Sequence, residues 1–263
     1  MKRGYVDVPE GQVHYRTEGE GQAIMLLHMA GSSGAEFERV IPFLRKTHRA
    51  FAIDLLGFGE SDPAPRKYLI EDHARTVLNV MDSLGIKKAS LAGHHIGAEI
   101  GVEIAVTKPD RVDKLILSCL PFFKTEEDFI AHTTKQVFTP VSIKPDGSHL
   151  MEWWRRATRY GDPMEIADER ALDYHKAGQR CEEIYEAGFA YVANIREKLP
   201  LIQCPTLLLC GTLDHFYPVQ EDINKLVARS RLRIIENGPV LIARRMPREF
   251  AEAILEFLKN PGV

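Results

Sequence analysis

The sequence predicts an α/β fold, a mostly parallel sheet flanked by helices, with a helical segment inserted in its second half. Three observations predict it. Short apolar runs alternate with longer runs of helical spacing through the first 120 residues. A strand-like run ends in a tight turn that opens straight into a helix, at Gly93-His94-His95-Ile96-Gly97. The alternation then stops between Leu120 and Pro205 and resumes after it.

The elements follow in order. Tyr5–Val8 and Val13–Thr17 alternate apolar with polar residues, as an antiparallel pair at a sheet edge would. Ala23–His28 is a short apolar run, suited to a strand covered on both faces. Phe37, Val40, Ile41 and Leu44 recur at helical spacing over Phe37–Arg45. Arg49–Ile53 reads as a strand closed by Asp54 and the turn residues Gly57-Phe58-Gly59. A helix is expected from about Leu69 to Leu84, stopped by Gly85. Lys88–Ala92 is the strand before the turn at His95, and Ile96–Thr107 the helix after it. Lys114–Cys119, Thr206–Cys210 and Arg231–Ile235 supply further strands, and Pro247–Leu258 the last helix.

The interruption carries helical runs at Leu150–Arg159, Asp168–Lys176 and Glu182–Ile195. It is rich in aromatics, among them Phe122, Phe123, Phe138, Trp153, Trp154, Tyr160, Tyr185 and Phe189. An insertion that leaves one strand end and returns at the next sits over the carboxyl edge of a parallel sheet. Residues 121–200 therefore read as a helical cap on a core of residues 1–120 and 201–263, with an apolar pocket between them.

Composition excludes several classes of function. The chain has 263 residues, 44% of them hydrophobic, and a net charge of −3, enough for one large domain with an insertion. Its basic residues are dispersed, which argues against nucleic acid as a partner. No run is long and apolar enough to span a bilayer, and the start at Met1-Lys2-Arg3 leads into polar residues. Cys119, Cys181, Cys204 and Cys210 show no paired spacing, as expected of reduced core residues in a cytoplasmic protein. The expected partner is a small-molecule substrate, with no cofactor and no metal.

Five motifs together resemble the α/β-hydrolase superfamily over nearly the whole chain. Leu27-His28-Met29-Ala30-Gly31-Ser32-Ser33 is similar to the loop that supplies one oxyanion-hole amide. Asp54-Leu55-Leu56-Gly57-Phe58-Gly59-Glu60-Ser61 matches the Gly-rich loop after the next strand. Leu91–Gly97 matches the nucleophile elbow, Gly211-Thr212-Leu213-Asp214 the turn presenting the catalytic acid, and Pro247-Arg248-Glu249-Phe250 the opening of the last helix. The resemblance implies an eight-stranded sheet with a cap inserted after the sixth strand, as in esterases, haloalkane dehalogenases and C–C bond hydrolases.

The chain departs from that family at two places. The elbow centre, normally serine, is His95. The triad histidine, ten residues before the phenylalanine of the last helix, would fall on Val240, and no histidine follows His215. A Ser-His-Asp hydrolase is excluded by that absence. The two departures look coupled: the large ring at the elbow can enter the space the missing ring leaves and reach Asp214. The outcome would be a His95–Asp214 dyad, with an oxyanion hole from the backbone amides of Ile96 and Met29. His28, Phe122, Trp154 and His215 are candidate substrate contacts.

Such a dyad suits an ester, lactone, thioester or diketone. It also suits a lyase, isomerase or cofactor-free oxygenase, or a covalent acyl-imidazole route. Two other readings stand beside it. One is a ligand-binding relative without chemistry. The other is a metal site among His28, His95, Asp214 and His215, although His94 and His95, being adjacent, are expected to point apart. Glu99, one turn after His95, is the second candidate to orient the ring.

Overall fold

The computed structural model describes residues 1–135 and 141–262, so Phe138 lies outside the described residues. Its strands are β1 (Lys2–Val8), β2 (Gly11–Glu18), β3 (Gln22–Leu27), β4 (His48–Ile53), β5 (Ala89–His94), β6 (Val112–Ser118), β7 (Thr206–Gly211) and β8 (Ser230–Ile235). They form one eight-stranded sheet in the order β1-β2-β4-β3-β5-β6-β7-β8. β1 pairs antiparallel with β2, and β2 antiparallel with β4; every other pairing is parallel. This is the expected sheet, with its antiparallel pair at one edge.

The helices in chain order are α1 (Ile41–Leu44), α2 (Ile70–Ser83), α3 (Ile96–Thr107), α4 (Glu126–Lys135), α5 (His149–Thr158), α6 (Met164–Ala177), α7 (Arg180–Val192), α8 (Ile195–Lys198), α9 (Gln220–Leu226), α10 (Ile242–Arg245) and α11 (Pro247–Lys259). None is long and apolar enough to cross a membrane.

The helix expected over Phe37–Arg45 is instead split into a 3-10 turn, Gly34–Phe37, and the short α1. Pro42, at the start of α1, explains the break: it has no N–H to give to the preceding turn and its ring crowds the carbonyl there. The α2 helix begins where expected. The Leu69 amide donates to Asp72 Oδ2 at 3.1 Å, and Gly85 ends the helix at φ 69°.

Successive residues of β3 feed two separate cores. Met25 and Leu27 pack into the layer that holds Val77 of α2 and Ile100 of α3. Ile24 and Leu26 pack into the layer that holds Phe250, Ile254 and Phe257 of α11. All four β3 side chains are fully buried. Each such side chain contributes roughly 1.5–3 kcal/mol, which is why an apolar run without alternation predicts a strand covered on both faces.

Between β6 and β7 the described residues hold helices α4 to α8 and no strand. Helix α7 lies against α3, where Gly188 brings its backbone close to the side chains of Ile96 and Glu99.

Candidate active site

The elbow is built by the close approach of three backbones. A Cβ on Gly93 would lie 2.0 Å from the carbonyl oxygen of Gly97, and one on Gly97 2.0 Å from that of Leu27. Both positions therefore require glycine. Between them His95 takes φ 49° and ψ −110°, a conformation costly for a residue with a side chain. The His95 amide donates to Ser118 O of β6 at 3.0 Å, which ties the turn to the sheet. The strained residue projects at the N-terminus of α3, where the first helical amides have no partner within the helix.

The His95 ring reaches the acid. Its Nε2 lies 2.9 Å from Asp214 Oδ2. Asp214 sits in the turn after β7; its amide donates to Gly211 O at 3.1 Å, and its Oδ1 accepts from the Phe216 amide at 2.9 Å. Phe216 closes on the ring edge-on, centroids 5.4 Å apart. Val240, at the position of the family's histidine, is buried in a small apolar cluster with Met29, Ile166 and Leu241.

Charge favours this pairing. Burial pulls the His95 imidazole toward its neutral form, but the Asp214 charge and hydrogen bond outweigh it and leave its pKa above the usual 6.5. Burial likewise pushes Asp214 up, and the facing imidazole more than offsets that, leaving the carboxyl below its usual 3.8. With Nε2–H given to Asp214, the lone pair of a neutral His95 is on Nδ1. In a serine triad the histidine gives Nδ1–H to the acid and works through Nε2, so the two nitrogens have exchanged roles.

A second buried pair underlies the first. His94 Nδ1 lies 2.5 Å from Glu36 Oε1, both side chains out of contact with solvent. Against the cost of burial, the two charges hold Glu36 down at about 2 and His94 up at about 10. The other Glu36 oxygen accepts the Met29 amide at 3.1 Å. This corrects the expected oxyanion hole: the Met29 N–H is turned to Glu36, away from a substrate. The next amide along, that of Ala30, makes no hydrogen bond among the described residues, and Ala30 lines the cavity together with His95 and Ile96.

The His94 and His95 rings do not diverge as expected; their centroids are 4.5 Å apart at 70°. Ligand-type atoms of His94, His95, Cys119 and Asp214 all lie within 4.8 Å of one another, so among the described residues these four form the group that could hold a metal ion. An ion there would have to displace the His95–Asp214 hydrogen bond. His28, part of the metal set considered from sequence, is not among them. Its Nδ1 donates to Met29 O at 2.8 Å and its Nε2 accepts from the Leu55 amide at 3.1 Å, so both nitrogens are spent on the loop.

The cavity before His95 has about 40 Å³ open to the centre of a water molecule. That is room for a few waters. Its walls come from both parts of the chain: Met29, Ala30, Ile96, Glu99, His215 and Phe216 on the sheet side, and His132, Arg159, Tyr160, Tyr185 and Phe189 from the helical segment. Of the expected substrate contacts only His215 lines it. Phe122 is buried under the Arg196 guanidinium, 4.8 Å from its ring, and Trp154 is not in the wall. The sequence marked the aromatics between β6 and β7 as a group but could not say which ones face inward. The Glu99 side chain makes no hydrogen bond to the ring or to any other group among the described residues, and Asp214 is the acid that holds the ring.

Comparison with known proteins agrees with this architecture. The family model described as alpha/beta hydrolase fold matches residues 22–139. The chain is 24% identical to the Bacillus subtilis hydrolase YugF, over 94% of this chain and 93% of that one. It is 25% identical to a 2-hydroxy-6-oxononadienedioate/2-hydroxy-6-oxononatrienedioate hydrolase of Pseudomonas putida, over 99% and 95%. Among solved structures, the enol-lactonase of Burkholderia xenovorans superposes with a TM-score of 0.79 at 22% identity, over 98% of this chain and all of that one. The motifs, the sheet order and these likenesses agree on one architecture: the chain has the α/β-hydrolase fold.

Proposed function

We propose that this protein hydrolyses a small carbonyl compound, an ester, lactone, thioester or diketone, with His95 as general base, Asp214 as its orienting acid and no serine nucleophile. The observation that carries the reading is the 2.9 Å contact between His95 Nε2 and Asp214 Oδ2 at the wall of a cavity facing the α3 N-terminus. A water held against His95 Nδ1 gives up a proton to it as its oxygen adds to the substrate carbonyl. Asp214 keeps the tautomer and stabilises the imidazolium that forms. The Ile96 amide and, in place of Met29, the Ala30 amide receive the oxyanion. A positioned base supplies ~10²–10⁴-fold and each oxyanion donor about 10²–10³-fold, enough for an activated carbonyl.

Residues 121–200 act as the lid of this site. The cavity holds only a few waters, so admitting a substrate requires the wall from α4, the turn after α5 and α7 to move outward. The enol-lactonase and the C–C hydrolase among the similar proteins both act on carbonyl compounds, which sets the substrate classes to try first.

The test is a panel of small aryl esters, enol and aliphatic lactones and acyl thioesters assayed with wild type and His95→Ala. Turnover of at least one class, lost in the variant, supports the reading. Ligand binding without turnover of any class would favour a binding protein.

A further inference from the structure

The pocket contains a second acid that the dyad does not use. Glu99 lies in the first turn of α3, the helix that the His95 turn opens, and faces the same cavity as His95. It is 1% exposed, lines the cavity, and its Oε2 has no hydrogen-bond partner among the described residues. Space for the carboxyl exists because α7 presents Gly188 there: a Cβ at that position would lie 2.9 Å from Glu99 Oε2 and 3.4 Å from Oε1.

A carboxylate cannot sit there unpaired. Ionised, it would need a cation or several donors to repay its lost hydration. The titratable groups around the cavity are His95 at the elbow, His132 of α4, Arg159 and Tyr160 after α5, Tyr185 of α7 and His215 after β7. Along α3 the next acid, Glu103, is already engaged by Lys198 at 2.6 Å and by the Tyr191 hydroxyl at 3.0 Å. None of these bonds Glu99, and burial alone drives its pKa well above the usual 4.5. Both the burial and the missing partner favour the neutral carboxylic acid, which has an O–H to give and no acceptor for it among the described residues.

We propose that Glu99 is the general acid of this site, giving its proton to the leaving oxygen of the substrate. The proposal rests on the hydrolytic reading of His95 and adds the other half of the proton transfer. As water attacks, its proton passes to His95 Nδ1 and its oxygen bonds to the carbonyl carbon. When the tetrahedral intermediate collapses, the carbon–oxygen bond to the leaving group breaks and that oxygen takes the Glu99 proton. The site is left with an imidazolium and a carboxylate. The proton on His95 returns to Glu99 through the water that refills the cavity, which restores both groups. Base and acid are thus separate residues, kept apart by opposite surroundings: a facing carboxylate holds His95 ready to accept charge, and a dry apolar wall keeps Glu99 protonated.

Glu99→Gln tests this. It preserves size and neutrality but has no acidic proton. A general acid matters only when the leaving group is a poor one. On nitrophenyl esters the variant should turn over within a few-fold of wild type. On alkyl esters of the same acyl group kcat should fall on the order of 10²-fold or more. Equal losses on both, or no loss on alkyl esters, would overturn the assignment. His95→Ala separates this from failure of the underlying reading, since it should abolish both reactions whatever Glu99 does. A second measurement needs no substrate. Infrared difference spectra of wild type minus Glu99→Gln at neutral pH should contain the carbonyl stretch of a protonated carboxylic acid; a carboxylate band in its place contradicts the proposal. Glu99→Leu should melt at a higher temperature than wild type, because a buried unsatisfied carboxyl is removed, while losing the alkyl-ester activity. A lower melting temperature would show that the carboxyl is satisfied in the fold and would count against it.

Discussion

His95 and Asp214 meet directly, Nε2 to Oδ2 at 2.9 Å, with no third side chain between them. The contact joins the end of β5 to the end of β7 across β6, the span that a family triad covers with an extra histidine. In the proposed reading, a ring carried by the turn at His95 takes the place of both the hydroxyl and the separate imidazole.

The first prediction is a pH profile. The proposed base works as the neutral imidazole, and Asp214 holds its pKa above 6.5, so on nitrophenyl esters, which do not need the Glu99 proton, kcat/KM should rise with pH through one ionisation lying above that value. In Asp214→Asn the charge that raises it is gone and burial remains, so the midpoint should move to lower pH while the plateau rate falls. An unmoved midpoint would mean that another group titrates.

Glu36→Gln should destabilise the fold by about 3–5 kcal/mol, because it leaves His94 buried without its counter-charge. The pH dependence of the melting temperature carries the same information. Glu36 is held at about 2, so its contribution is present above its ordinary 4.5 and is lost as pH falls toward 2. His94 is held at about 10, so its contribution is full below its ordinary 6.5 and is lost as pH rises through 10. Wild type should be most stable between those two ordinary values, and the variant should lose most of that maximum.

Fluorophosphonate probes should not label the protein. The elbow has no serine, and Val240 stands where an activating histidine would be. Stoichiometric labelling at any serine, read by mass spectrometry, would overturn the elbow assignment.

Activity should survive exhaustive dialysis against a chelator. The four donor atoms of His94, His95, Cys119 and Asp214 could close on an ion only by breaking the dyad. Loss of activity on chelation, restored by added zinc, would move the metal reading ahead.

The fold was legible because its signals are local and several. The apolar run of β3, the glycines around His95 and the stop at Gly85 each have one backbone explanation. The His95–Asp214 contact was legible because two departures at distant positions, His95 and Val240, have a single spatial account. The Met29 amide was not, because the residue that captures it, Glu36, lies in the 3-10 turn Gly34–Phe37, at a position where the sequence predicts no element. His132, Arg159 and Tyr185 were not foreseen in the wall for a similar reason. Helical spacing shows that a face is apolar but not which neighbour it meets. Glu99 was noticed only as a rival to Asp214; its lack of any partner is a fact of packing against Gly188, outside the reach of pattern.

The most direct test of the account is turnover by His95→Ala on the best substrate of the panel, with substrate affinity measured alongside and free imidazole added in a second series. The account predicts binding close to wild type, kcat lowered on the order of 10²–10⁴-fold, and partial recovery as imidazole occupies the space the ring has left. Wild-type turnover by His95→Ala with binding intact would contradict it, because the base would then lie elsewhere.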